Sequence, residues 1–189
     1  NRYGVAAGKR VCIFTNNDDA YRTALDLKAA GVTVPAIVDL RADPAGNLAV
    51  QAMNAGIEII DGAAVTAVTG AKGVKGIEVM MLSDRADGVT GTARRIDCDV
   101  VASSGGWNPV VHLHSHAGGK ARFDEARGIF LPGETRQACR SVGAAAGAFA
   151  LGECLSGGLQ AGKDAARDAG AKKPSRRKPP SAAAEEETP

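Results

Sequence analysis

Residues 9–39 carry the pattern that most limits how this chain can fold. An apolar run at residues 11–14 leads into a polar turn and then into a helix-forming stretch that ends at Gly31. A second apolar run, at residues 32–38, follows and closes on Asp39. Two apolar runs joined by a helix are typical of a βαβ unit with a right-handed crossover. The segment therefore predicts the start of a doubly wound parallel sheet.

The loop after the first run lacks the glycines of a dinucleotide-binding loop. In the pattern G-x-G-x-x-G/A, the first glycine makes a tight turn and the second lets the backbone approach a pyrophosphate. Thr15 and Asn17 hold these positions, and only Ala20 is still small enough for close helix–strand packing. Asp18 and Asp19 place carboxylates at the helix N-terminus, where a phosphate would otherwise sit. The unit thus predicts a nucleotide-binding shape whose own site is empty.

The charge of the chain is concentrated in its tail. The 189 residues carry a net charge of +2, but five basic and three acidic residues lie beyond residue 171, and the body is neutral. We therefore expect no nucleic-acid face.

The apolar runs are too short for a membrane helix, and the start lacks the apolar core of a signal peptide. Because the sequence does not begin with Met, we expect a fragment or a processed piece.

The four cysteines, Cys12, Cys98, Cys139 and Cys154, are far apart in the sequence and form no CxxC pair. This spacing favours reduced thiols in a cytoplasmic protein over disulfides or a metal site.

Further elements complete the predicted first domain. A helix at residues 47–55 and a strand at residues 57–60 extend the unit to βαβαβ. A β-meander follows, with strands at residues 64–68, 76–82 and 93–98, and then a buried strand at residues 99–103. The predicted fold class is α/β: a three-layer, Rossmann-like FAD/NAD(P)-binding domain, with a parallel sheet plus a β-meander, and part of a second nucleotide-binding domain.

The rest of the chain is less regular. We predict a helix at 110–116, a strand near 120–124, an irregular segment at 128–133, a strand at 139–144 and a helix at 148–170. From residue 172 onward, the Pro, Lys, Arg, Ala and Glu composition predicts a linker or tail.

The turn after residues 99–103 is the first candidate ligand contact. Two glycines at the carboxyl end of a strand let the backbone approach a flat or charged ligand. An ordinary strand-to-helix turn with a packed tryptophan explains the pattern equally well. The candidate residues are Ser104, Gly105, Gly106, Trp107, Asn108 and Pro109.

Residues 140–147 form the second candidate, a predicted strand and glycine turn before a helix whose N-terminus could face a ligand. In two-dinucleotide flavoproteins the matching turn carries Gly-Asp, whose carboxylate holds the sugar-alcohol chain of the cofactor. Here the pair is Gly-Ala, which argues against standard flavin binding, although backbone N–H groups could still hold a pyrophosphate. The alternative is a helix packed through its small-residue face. The candidate residues are Gly143, Ala144, Ala145 and Gly147.

Other polar residues receive structural interpretations. His112, His114 and His116 lack a Cys or carboxylate at ligand spacing, which favours surface or capping roles over a metal site. Asp39 stands where an acidic residue would bind a ribose 2′-hydroxyl, but beside the altered loop we favour a structural role. Arg122 belongs to a mixed charged run that predicts a solvated face. No nucleophile–base pair or carboxylate dyad indicates a catalytic residue.

Three segments together resemble the alpha subunit of heterotetrameric sarcosine oxidase. They are the glycine-less loop and helix at residues 14–27, the Ser-Gly-Gly-Trp-Asn-Pro-Val-Val-His-Leu segment at 104–113, and the Gly-Ala-Ala turn at 143–145 with its helix. The resemblance covers about residues 1–170.

This resemblance implies a subunit of an enzyme that oxidatively demethylates sarcosine to glycine. Hydrogen peroxide would be produced and, with tetrahydrofolate, methylenetetrahydrofolate. FAD would lie on a beta subunit, FMN near the alpha–beta contact, and gamma and delta subunits would complete the complex. NAD would take the place of a flavin in the alpha subunit, and tetrahydrofolate would bind a further domain outside this chain.

The resemblance also implies a domain organisation. Residues 1–98 would be an inserted nucleotide-binding-like domain, residues 99–170 the returning half of the NAD-binding domain, and residues 171–189 the linker or tail. Two alternatives stay open: a subunit of the opine oxidase or cyanide synthase type, and a non-catalytic docking domain.

Overall fold

The computed structural model describes residues 3–44, 46–172, 177–180 and 182. The chain divides into two compact units, Asn1–Gly106 and Trp107–Pro189. Most of the predicted linker or tail at residues 171–189 lies outside the described residues.

The first unit begins with alternating strands and helices. In order they are β1 (Val11–Thr15), α1 (Asp19–Ala29), β2 (Ala36–Asp39), α2 (Asn47–Asn54) and β3 (Glu58–Ile60). Three antiparallel strands follow: β4 (Ala63–Thr69), β5 (Gly76–Leu82) and β6 (Val89–Ile96). The chain then returns to the first sheet as β7 (Val100–Ser104), which pairs in parallel with β1.

The first sheet has the strand order β3-β2-β1-β7, and its pairings are all parallel. Successive side chains of a strand point to opposite faces. In β1, Val11 and Ile13 pack with Tyr21 of α1, whereas Cys12 packs with Ile77 of β5. Helices therefore cover one face and the meander covers the other, which confirms the predicted three-layer, Rossmann-like α/β fold.

β7 belongs to the same sheet as β1, and the first compact unit ends at Gly106. The predicted division between residues 98 and 99 falls before that point, between the meander and β7. The identification of residues 1–98 as an inserted domain, and of residues 99–170 as a returning half, stays a prediction.

The second unit contains α3 (His112–His116), a hairpin of β8 (Ala121–Asp124) and β9 (Ile129–Pro132), a 3₁₀ helix at Gly143–Ala146, and α4 (Leu151–Asp168). Two predictions were wrong here. Residues 129–132 form a strand because they pair with β8. Residues 139–144 form no strand, since they pair with none of the described strands.

The two units differ sharply in their cores. Of the buried hydrophobic residues in the described part of the chain, only Ile129 and Leu131 belong to the second unit. The 18-residue α4 contains no buried residue. The second unit thus has almost no core of its own. None of the described helices combines the length and the apolar character needed to cross a bilayer.

Candidate functional site

The loop between β1 and α1 is held closed by Asn17, which is 2% exposed. Its side-chain amide Nδ2 donates to Oγ of Ser104 at 2.9 Å and to the carbonyl oxygen of the same residue at 3.2 Å. The backbone N–H of Asn17 donates to Oγ1 of Thr15 at 3.1 Å. A side chain of this chain therefore fills the space where a glycine would admit a pyrophosphate.

Asp39, at the end of β2, is fully buried and surrounded by donors. The Tyr21 hydroxyl donates to its Oδ2 at 2.8 Å. Arg41 donates from Nε to Oδ1 at 3.2 Å, from Nη2 to Oδ2 at 2.9 Å, and from its backbone N–H to Oδ1 at 2.9 Å. The carboxylate that would bind a ribose hydroxyl in a nucleotide-binding domain is thus satisfied internally, which supports the structural role predicted for it.

The same guanidinium reaches the start of α1, where Arg41 Nη2 lies 2.7 Å from Oδ1 of Asp18. Its hydrogen bonds to Asp39 raise the pKa of Arg41 above its usual range, so it stays charged. Burial, and then the hydrogen bond to Asp39, raise the pKa of Tyr21 above its usual range, so it stays protonated. Both groups therefore remain donors at neutral pH, and the first-unit site is occupied by its own side chains.

The glycines after β7 differ in their surroundings. Gly106 has a φ of +88°, a conformation that side-chain-bearing residues rarely adopt. A Cβ on Gly105 would meet no atom within 4 Å. Gly106 is therefore needed for the backbone, whereas Gly105 faces open space that a ligand could use.

In the second unit, residues 107–109 begin the chain path toward α3. The Asn108 Oδ1 accepts a 3.1 Å hydrogen bond from the backbone N–H of Phe130 in β9. Trp107 is 57% exposed, so it is not the packed tryptophan of an ordinary turn. Pro109 is buried. The turn is thus anchored by its asparagine and proline, and it leaves the indole largely exposed.

The predicted glycine turn at residues 143–147 is a 3₁₀ helix that ends before α4. Gly143 and Gly147 have φ values of +64° and +85°. A Cβ on Gly147 would lie 2.5 Å from Cδ2 of Leu131, so no larger residue fits there. The Gly147 carbonyl accepts a 2.6 Å hydrogen bond from Arg127. Ala144 and Ala145 lie between them, and Ala144 is exposed. The turn is glycine-dependent and its middle is accessible.

The three histidines lie on α3. His112 and His116 are exposed, as predicted, but His114 is 5% exposed. The prediction of a surface or capping role was wrong for His114, because its Nε2 lies 3.2 Å from the carbonyl oxygen of Lys120. Helix periodicity does separate them, because residues 112 and 116 share a face of a helix and residue 114 does not. In the part of the chain that the structure describes, no three His, Cys, Asp or Glu residues lie close enough together to hold a metal ion.

The architecture defines a class. A parallel sheet ordered β3-β2-β1-β7, with helices on one face and a meander on the other, is a Rossmann-like domain of the kind found in FAD/NAD(P)-dependent oxidoreductases. The L-proline dehydrogenase from P. horikoshii matches with a TM-score of 0.55 and 18% identity, over 90% of this chain and 28% of that one. The bacillithiol disulfide reductase from Staphylococcus aureus matches with a TM-score of 0.50 and 19% identity, over 68% and 38%.

Sequence comparison is more specific. The sarcosine oxidase subunit alpha of Corynebacterium sp. (strain P-1) is 35% identical over 170 residues, which are 90% of this chain and 17% of that protein. The subunit alpha of Rhizobium meliloti (strain 1021) is 34% identical over 170 residues, covering 90% and 16%. No protein-family model matches the chain. The chain is therefore related to one segment of the sarcosine oxidase alpha subunit, and it spans about a sixth of the length of these relatives.

Proposed function

We propose that this chain is an internal segment of a sarcosine oxidase alpha subunit and that it contributes to an NAD-binding site. The complete enzyme would demethylate sarcosine to glycine, producing hydrogen peroxide and, with tetrahydrofolate, methylenetetrahydrofolate. Its partners would be the beta, gamma and delta subunits in a cytoplasmic heterotetramer, with FAD and FMN mainly on the beta subunit. The similarity over 90% of the chain to alpha subunits supports this assignment.

The observation that carries the proposal is the occupied site of the first unit. Arg41 and Tyr21 satisfy Asp39, and Asn17 fills the loop before α1. The Asp39 carboxylate, which would bind a ribose, and the loop space, which would admit a pyrophosphate, are therefore both taken by side chains of this chain. We therefore assign NAD contact to the two glycine turns and not to the β1–α1 loop.

Each turn has a feature that fits a nucleotide. The space beside Gly105 is open, and the exposed Ala144 and partly exposed Ala145 lie between two glycines with positive φ. Ser104 to Pro109 form the first contact segment, and Gly143, Ala144, Ala145 and Gly147 form the second. NAD would be held rather than turned over, because no nucleophile–base pair or carboxylate dyad stands out among the described residues.

The test is the stoichiometry of NAD in the purified natural complex. Gly143→Asp should reduce the NAD content, because the new carboxylate would repel a pyrophosphate at the turn. The 189-residue chain alone should show no micromolar binding of NAD or NADPH by isothermal titration, because its intact β1–α1 site is filled. Unchanged NAD stoichiometry in the variant would contradict the assigned contact, and micromolar binding by the chain alone would contradict the filled-site argument.

A docking role is the second candidate, and the burial pattern of the second unit favours it. Trp107, Val110 and Leu113 are 57%, 64% and 84% exposed, and α4 has no buried residue. Surfaces of this kind are usually covered by another protein segment. Co-purification with a flavin-containing beta subunit and no bound nucleotide would support this role over NAD binding. A related opine oxidase or cyanide synthase subunit would instead be identified by its amine substrate.

A further inference from the structure

A cleft of about 300 Å³ lies within the second unit, and it is positively charged. Its lining includes two arginines, Arg122 and Arg140, together with His114 and Ser141. None of its lining residues is acidic. The cleft therefore has the charge of an anion site, and none of the residues assigned above to NAD contact lines it.

Arg122 reaches the cleft from the hairpin. It lies directly opposite Leu131, so the two side chains share one face of the hairpin, and Leu131 also lines the cleft. Phe123 and Phe130 occupy the other face, with ring centroids 5.1 Å apart. The described residues provide no ion pair for Arg122, so its guanidinium is available to a ligand.

Arg140 enters from the segment before the 3₁₀ helix and pairs with Asp164 of α4. Its hydrogen bond holds the pKa of Asp164 below the usual range of a carboxyl. The Asp164 carboxylate competes with an incoming anion, since it already accepts a hydrogen bond from the Arg140 guanidinium. A guanidinium has five N–H donors, and the remaining ones can serve a ligand.

The imidazole of His114 also lines the cleft. Because a carbonyl only accepts, the Nε2 of His114 carries the hydrogen in its contact with Lys120. The Nδ1 atom is buried and has no hydrogen-bond partner among the described residues. With the hydrogen on Nε2, Nδ1 is an acceptor and does not itself bind an anion, so the two arginines carry the site. A Cβ on residue 119 would clash with this imidazole, so Gly119 leaves room for the ring.

We propose that this cleft binds a phosphate-type anion through Arg122 and Arg140. Guanidinium groups match phosphate oxygens with parallel, charge-assisted hydrogen bonds, and two of them in one small cleft favour a doubly charged ligand. Arg122 is exposed, as predicted for a solvated face, and the proposal gives this side chain a ligand as well. The anion is either free or part of a nucleotide, and the two sources share this chemistry.

The test is isothermal titration of inorganic pyrophosphate into the 189-residue chain, at an ionic strength fixed with chloride. Saturable binding is expected. Arg122→Gln and Arg140→Gln should each weaken it by about fivefold or more, because each removes charge-assisted hydrogen bonds. Arg22→Gln, which removes an equal charge from an exposed side chain of α1 in the first unit, should change it by less than about twofold. Asp164→Asn should tighten binding because it removes the competitor of the anion.

The variants must keep the melting temperature and circular dichroism of the parent. If Arg140→Gln does not fold, Arg122→Gln decides the outcome, since Arg122 makes no ion pair with a described residue. Absence of saturable binding, or equal weakening by Arg22→Gln, would overturn the proposal. Titration of NAD distinguishes the two sources. Competition between NAD and pyrophosphate would place part of the dinucleotide in this cleft. Binding of pyrophosphate without NAD would assign a free anion, and the NAD proposal would still depend on the NAD stoichiometry of the natural complex.

Discussion

The hydroxyl of Tyr21 donates a 2.8 Å hydrogen bond to Oδ2 of Asp39, and neither side chain is exposed to solvent. The pair joins the first turn of α1 to the carboxyl end of β2, the two elements that flank a nucleotide in other domains of this fold. Arg41 forms an ion pair with the same carboxylate. The first unit therefore uses its own polar groups where related folds use a ligand.

We expect Tyr21→Phe to lower the free energy of unfolding by about 1–3 kcal/mol, because a buried acceptor loses a donor. Urea denaturation monitored by circular dichroism measures this loss. Thr66→Val is the matched control, since it removes a hydroxyl from an exposed side chain whose hydrogen bond to the Glu78 carbonyl is 3.3 Å long. It should change stability by less than about 0.5 kcal/mol. Equal effects of the two variants would contradict a structural role for the Tyr21–Asp39 bond.

The acid stability of the first unit should depend on Asp99. Its carboxylate accepts the backbone N–H groups of Lys9 at 2.9 Å and of Arg10 at 2.8 Å, and these bonds lower its pKa. Because the folded pKa is below the unfolded one, the stabilisation is present above the unfolded pKa of about 4 and is lost as the pH falls through the folded value.

Asp99→Asn should therefore be less stable than the parent at pH 7 and should lose less stability between about pH 5 and pH 2. Denaturant midpoints across this range measure the difference. Asp84→Asn, in the exposed turn between β5 and β6, serves as the control and should keep the parent's pH profile. If the denaturant midpoints of Asp99→Asn and of the parent fell in parallel with pH, the backbone hydrogen bonds of Asp99 would not govern acid unfolding.

The cysteines should differ widely in reactivity. Burial raises the pKa of Cys12 to about 12, and its contact with Cys98 adds to this shift. At pH 8 roughly one Cys12 in ten thousand is then a thiolate, the reactive form. A disulfide reagent at that pH should label the exposed Cys139 first, and should reach Cys12 and Cys98 only after unfolding. Cys139→Ser should remove the fast phase. Rapid labelling of Cys12 in the folded chain would contradict the packing of β1 against the meander.

Replacement of Gly105 separates ligand binding from folding. Gly105→Leu should leave stability within about 0.5 kcal/mol, because a Cβ there meets no atom, yet it should reduce the NAD content of the natural complex by filling ligand space. Gly88→Leu is the matched control, since a Cβ at Gly88 also meets no atom within 4 Å. If the two variants retained equal amounts of NAD, Gly105 would not belong to the proposed NAD contact.

Local patterns predicted the first unit well. The apolar runs at β1 and β2, the small-residue helix between them and the three meander strands are visible from periodicity and turn residues alone. The second unit was predicted less well. Strand β9 is only four residues long and follows a glycine, so its pairing with β8 depended on a contact that no local pattern shows.

The altered loop was also visible in the sequence, but its occupants were not. Thr15 and Asn17 in place of glycines predicted an empty nucleotide site. That Asn17 reaches Ser104, that Arg41 bridges Asp18 and Asp39, and that His114 is buried beside two arginines depends on contacts between distant residues. The sequence alone determined the Rossmann-like βαβ framework, because strand and helix periodicity are local properties. Only the tertiary structure decided which polar side chains fill the first site and which arginines share a cleft, because burial and long-range pairing set those contacts.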